Sequence, residues 1–210
     1  TFVWDHGAST GMKAMLKTLI LGTVALGALA ACGAYVASTR VETPAYSVLR
    51  TDGDIELRRY PEMTLAQVTR SGTRGGAVQS GFSPLARYIF ARAREGEKIA
   101  MTAPVVQKPM GEVWAVSFIL PSGISAEDAP LPSGDVSLVT EPARLMASLR
   151  FSGVWSDTRF TAASERLKQW VESEGLSVEG PFEYGYYNDP FTPAFLRRNE
   201  VLVPVSGQGI

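Results

Sequence analysis

Residues 55–72, IELRRYPEMTLAQVTRSG, return 81 positions later as residues 136–153, VSLVTEPARLMASLRFSG. In that register Ile55 falls on Val136, Leu57 on Leu138, Pro61 on Pro142, Leu65 on Met146, Ala66 on Ala147, Val68 on Leu149, Ser71 on Ser152 and Gly72 on Gly153. Each copy alternates apolar and polar residues on both sides of a proline, the pattern of half-buried strands flanking a turn. A second correspondence lies further on, where Phe118-Ile119-Leu120-Pro121 falls on Val201-Leu202-Val203-Pro204 at a shift of 83. Halves of about 46–121 and 136–205 that start and finish alike read as a duplicated unit.

Between its strand groups each half carries one helical stripe. Phe82, Leu85, Ala86, Ile89, Phe90 and Ala93 recur at spacings of three and four, which predicts a helix over about 82–93. Pro84 stands either at the first helical position behind a Ser83 cap or as a kink in a helix that begins near Ala77. Phe160, Ala163, Leu167, Trp170 and Val171 predict the matching helix over about 157–173, with Ser156 as N-cap and Gly175 as stop. The expected fold class is α+β: a pseudo-symmetric duplicated unit whose antiparallel sheet curves toward a distorted barrel, with two main helices packed against it.

The chain opens differently. Cys32, the only cysteine, closes Ala28-Leu29-Ala30-Ala31-Cys32 at the end of an apolar run that follows Lys13 and Lys17. A basic stretch, an apolar stretch and small residues before a cysteine form a lipoprotein signal peptide with Cys32 as the lipidation site. An uncleaved anchor is the alternative, since Thr18 to Ala37 approaches the length of a membrane span. The expected organisation is residues 1–31 as upstream remnant plus signal peptide, 32–43 as lipidated Cys and tether, 44–205 as one domain and 206–210 as tail. The protein would then be held to a membrane of the bacterial envelope, either the outer membrane or the periplasmic face of the inner one.

Residues 1–31 contain Lys13, Lys17 and Asp5, so without them the 20 basic and 21 acidic residues become 18 and 20, a formal charge of −2. That balance argues against a nucleic-acid partner. His6 is the only histidine and also lies before Cys32. The mature domain therefore has neither imidazole nor free thiol, which removes Ser–His–Asp and Cys–His catalysis and imidazole–thiolate zinc sites. Asp52, Asp54, Glu56, Asp128, Asp157, Asp189 and Glu200 are scattered without calcium-loop spacing and read as mostly solvated charge. Gly72, Gly75 and Gly76 lack the Lys-Ser or Lys-Thr of a phosphate loop and read as a turn. No catalytic residue and no metal ligand is assigned.

Around the first helix, Arg87 and Tyr88 interrupt the apolar stripe, and Lys98-Ile99-Ala100-Met101 follows. A greasy wall with cations at its rim suits a flat apolar ligand with acidic edges. The same residues also suit a plain core, with Arg87 and Lys98 facing water. The motifs GFSPLARYIF at 81–90, KIAMTAPV at 98–105, VSFILP at 116–121, Asn188-Asp189-Pro190 and FLRRNEVLV at 195–203 together resemble the SOUL haem-binding protein family. The resemblance spans about residues 46–205. It implies a fold of two similar halves and an apolar cleft beside the first helix for haem or another tetrapyrrole. Carried over residue by residue, it implies Phe82 as apolar wall, Arg87 as propionate partner, and Met101 or Tyr88 as a weak iron ligand. Family members carry methionine or lysine near the cleft where this chain has Ala86 and Pro193.

The function expected from these readings is a lipid-anchored, non-catalytic carrier, buffer or sensor of haem or another tetrapyrrole. One alternative keeps the fold for another apolar ligand or an envelope protein partner. Another is a carboxylate-dependent hydrolase, which the absence of histidine disfavours.

Overall fold

The computed structural model describes residues 41–207, so Cys32 and the signal-peptide reading lie outside the described residues. A compact unit, Glu42–Ile210, carries every described strand and helix together with the core. With its own core complete, this unit can fold without the residues before it.

Ten strands form one antiparallel sheet: β1 (Ser47–Asp52), β2 (Ile55–Tyr60), β3 (Met63–Arg70), β4 (Val105–Met110), β5 (Val113–Ile119), β6 (Ser137–Glu141), β7 (Arg144–Phe151), β8 (Ser177–Val178), β9 (Glu183–Tyr186) and β10 (Asn199–Ser206). Their order is β1-β2-β7-β10-β9-β4-β5-β3-β6, with β8 also on β10. The sheet curves but stays open. Two helices, α1 (Arg74–Ile89) and α2 (Asp157–Ser173), pack on one face. The α+β expectation therefore holds.

The 81-residue offset lays β2 on β6 and β3 on β7, and the strand order from β2 to β6 reads as the same pattern from either end. A pseudo-two-fold axis therefore passes between β4 and β9, where Val105 faces Tyr186 and Gln107 faces Tyr184. The turns read at Pro61 and Pro142 do not close hairpins. Two-residue links carry β2 into β3 and β6 into β7, yet β2 leaves its own half to pair with β7, and β6 pairs with β3. The two halves exchange β2 and β6.

Strand alternation makes two buried faces. Leu57, Ala147, Val201 and Val116 face the helices and meet Leu85, Ile89, Phe160, Leu167 and Val171 in the main core. Arg58, Ser148 and Glu200 lie on the opposite face, where the curvature buries them as well.

Helix α2 has the predicted bounds. Ser156 accepts the Arg159 N–H, and Gly175 follows the helix at φ 67°. Helix α1 departs from the predicted 82–93. It starts at Arg74 behind Thr73, whose hydroxyl accepts the Gly76 N–H at 3.2 Å, and carries Pro84 in its interior. Gly75 and Gly76 thus belong to its first turn rather than to a loop. It stops at Ile89 because Ala91 takes φ 53°, a left-handed conformation that cannot continue the helix. Gly81 brings α1 directly onto β5: a Cβ there would stand 2.9–3.1 Å from the Val116 side chain.

Candidate functional site

The close approach at Gly81 sets the first candidate surface. Phe82, next along α1, is 40% exposed and lies edge to face on Phe118 of β5 with ring centroids 5.2 Å apart. Phe118 pairs with Val105, and Met101, half-buried against the core, lies in the segment leading into that strand. Arg87 and Lys98 are exposed and make no ion pair among the described residues. Tyr88 is placed differently from its proposed role. Only 1% exposed, it packs in the core and donates its hydroxyl to the Pro130 carbonyl at 2.7 Å.

A second cluster lies between the N-termini of the helices. Arg74 and Asp157 are the first residues of α1 and α2 and are related by the offset of 83. They form an ion pair, with Nη2 of Arg74 2.7 Å from Asp157 Oδ1. The Arg74 guanidinium lies 4.1 Å from the Phe160 ring centroid and 5.5 Å from that of Tyr184, and donates to the Tyr186 hydroxyl. Tyr186 donates in turn to Gln107 Oε1 at 2.9 Å, and Gln107 donates to the Arg74 carbonyl at 2.8 Å. Burial pushes the Tyr186 phenol up to about 12 despite the opposing charge of Arg74. Aromatic faces, a carboxylate and a closed hydrogen-bond ring hold this arginine in place; it ties the two halves together at the axis.

The third cluster occupies the face away from the helices. Glu200, fully buried, accepts from Arg58 Nη1 at 2.7 Å and Nη2 at 3.0 Å, from Arg198 Nε at 3.0 Å and Nη2 at 2.7 Å, and from the Tyr187 hydroxyl at 2.8 Å. Burial raises the Glu200 carboxyl, but the bonds and charges of Arg58 and Arg198 outweigh it, and the carboxyl stays below the usual range. A cavity of about 230 Å³ opens beside this cluster, lined in part by Tyr46, Glu56, Arg58, Arg150 and Arg198. Reading Glu200 as one more solvated carboxylate is therefore wrong. The alternating strand pattern could have shown it, because Glu200 stands two positions before Leu202 on the same face of β10.

The family model of the SOUL heme-binding protein matches residues 41–204. The chain belongs to the SOUL haem-binding protein family. No curated protein matches it. Among solved structures, the C-terminal domain of EcmrR is similar with a TM-score of 0.58 at 15% identity, covering 77% of this chain and 98% of that one. A hydrolase from Listeria innocua is similar with a TM-score of 0.53 at 17% identity, covering 75% and 94%. An uncharacterized conserved protein from Listeria innocua gives 0.53 at 18%, covering 73% and 92%. At these identities the likenesses show the fold alone.

For a SOUL domain, the group to be accommodated is a tetrapyrrole. The described residues offer it the exposed Phe82 ring seated on buried Phe118, exposed cations at Arg87 and Lys98, and the half-buried Met101, while the single histidine of the sequence is His6. These groups fit a macrocycle held by apolar contact better than an iron centre held by imidazole. Among the described residues no cluster of three or more His, Cys, Asp or Glu could hold a metal ion.

Proposed function

We propose that this SOUL domain is a lipid-anchored protein of the bacterial envelope that binds haem or another tetrapyrrole on the apolar face of α1, as a carrier, buffer or sensor rather than a catalyst. The observation that carries the reading is Phe82: an aromatic side chain on the outer side of a helix whose Leu85, Tyr88 and Ile89 are buried, left 40% exposed and seated on Phe118. Phe82 supplies the wall, Arg87 pairs with a propionate, and Met101 serves as a weak iron ligand. With no imidazole available, the iron adds little. Metal-free porphyrin and haemin therefore bind with similar, micromolar affinity, because ordering side chains around the propionates offsets much of the apolar gain.

Absorbance titration of residues 42–210 with haemin and with protoporphyrin tests this. Phe82→Ala weakens both ligands alike while the melting temperature changes little. A low-spin haemin spectrum lost in Met101→Ala would show instead that a protein ligand dominates. No spectral change at high haemin concentration would discard the tetrapyrrole and leave another apolar ligand or an envelope partner.

A further inference from the structure

Residues 188–198, between β9 and β10, turn large apolar side chains outward, with Thr192 buried beneath them and Asp189 exposed. Phe191 is 92% exposed, Phe195 76% and Leu196 62%, and Val154, 50% exposed, adjoins them because Gly153 N–H donates to the Ala194 carbonyl at 2.9 Å. An exposed apolar cluster of this kind marks a contact surface. The loop backbone is unusually well satisfied. Asp189 Oδ1 accepts the N–H groups of Phe191 at 2.8 Å and Thr192 at 3.0 Å. Arg197 donates from Nε to the Thr192 carbonyl at 2.8 Å and from Nη2 to the Pro190 carbonyl at 2.7 Å, and its guanidinium stacks 4.6 Å from the Trp155 ring centroid. The Pro193 and Ala194 carbonyls accept from Leu196 and Arg197. Pro190 and Pro193 have no N–H to satisfy. A loop in water needs none of this, since water satisfies exposed backbone. A loop that enters an apolar medium needs most of it, because each unpaired group there is costly.

The position of the loop names the medium. Tyr186, the last residue of β9, pairs with Val105, the first of β4. Just before Val105, the Ala103 N–H donates to the Glu42 carbonyl at 2.8 Å, and the Glu42 carboxylate accepts from Ser122. The chain thus enters the domain at the same end of the sheet from which the loop projects. From Cys32 to Glu42 the backbone spans at most about 35 Å fully extended. A lipid at Cys32 would therefore keep this end of the domain within about 35 Å of the bilayer.

We propose that Phe191, Phe195 and Leu196 insert into the headgroup and acyl boundary of the membrane and orient the domain on it; this rests on the lipid-anchor part of the proposed function. The loop supplies a rigid apolar wedge, and the anchor supplies proximity.

Cosedimentation of residues 42–210, which lack the anchor, with vesicles of pure phosphatidylcholine and of phosphatidylethanolamine mixed with phosphatidylglycerol tests the wedge separately from lipidation. The fragment partitions onto both, because the driving force is apolar rather than ionic. Phe191→Ser and Phe195→Ser each lower the partition coefficient about tenfold. Both positions are exposed, so the melting temperature is unchanged. Binding only to the anionic vesicles, or equal binding by the two variants and the parent, overturns the proposal. So does a loss of haemin affinity in the variants with unchanged vesicle binding, which would make the loop a wall of the ligand site. If the wedge holds but Cys32 is not lipidated in cells, only the anchor reading falls.

Discussion

Replacing Glu200 by alanine removes the acceptor for six hydrogen bonds, the sixth from the Ser148 hydroxyl at 3.4 Å, and leaves the Arg58 guanidinium, whose side chain is 3% exposed, with Glu56 as its remaining carboxylate. Breaking one partner of a buried pair costs about 3–5 kcal/mol, because the desolvated charge left behind loses its compensation. For a domain of this size each kcal/mol lowers Tm by about 2–4 °C, so Glu200→Ala melts about 6–20 °C below the parent. Arg198, 27% exposed, can turn toward water and softens the loss. The double variant Arg58→Met with Glu200→Leu removes both charges and costs less than Glu200→Ala alone. The acid limb follows from the same site. The folded-state pKa of Glu200 is depressed below its ordinary 4.5, so its contribution is complete above that value and is lost as pH falls through the folded-state pKa. Glu200→Gln removes this part of the acid dependence. Thermal melts at neutral pH and at steps below 4.5 read both effects. A Glu200→Ala variant melting within about 2 °C of the parent, or an acid limb unchanged in Glu200→Gln, would refute the argument.

At the alkaline end, Tyr60 and Tyr186 are both pushed up, chiefly by burial, to about 12 from 10.0. The unfolded chain ionises first, so stability present below pH 10 declines as pH rises toward 12; Tyr186→Phe flattens that decline in urea melts collected over the window. Gly81→Ala places a methyl against Val116 and forces α1 off β5 at a cost of about 1–3 kcal/mol, read as lowered Tm, and Val116→Ala in the same chain recovers part of it. In cells, Cys32→Ser leaves an unprocessed precursor detectable by mass spectrometry; a mature chain that starts elsewhere would end the lipoprotein reading.

Much of the fold was legible because strand and helix periodicity recorded it twice. Ser156 and Gly175 bound α2 through local chemistry that a single residue suffices to supply. The start of α1 was hidden because Thr73-Arg74-Gly75-Gly76 has the composition of a turn, and its helical state depends on packing Gly81 against Val116. Pro61 and Pro142 marked breaks correctly, yet nothing local says which strand lies beside β2; pairing is decided across the halves. Phe82, Arg87 and Met101 could be named from the helix and the segment that follows it. Tyr88 could not be separated from them, since helical spacing does not tell a core phenol with a distant carbonyl partner from a cleft residue. Arg74, Arg58 and Glu200 depend on contacts 83 and 142 residues away in sequence, and no motif announces such pairs.

The exchange of β2 and β6 has a consequence for how this chain could have arisen and how it reaches its native state. Neither half owns a complete sheet: cut between β5 and β6, the first would expose β3 without β6 and the second β7 without β2. A single ancestral copy could have covered these edges by closing its own β2–β3 hairpin or by donating β2 to an identical neighbour, and fusion of a domain-swapped pair would leave the pairing seen here. The fused chain inherits that logic as high contact order. Its sheet cannot close at β2–β7 until residues some 90 positions apart have met, which favours slow, all-or-none folding over assembly half by half.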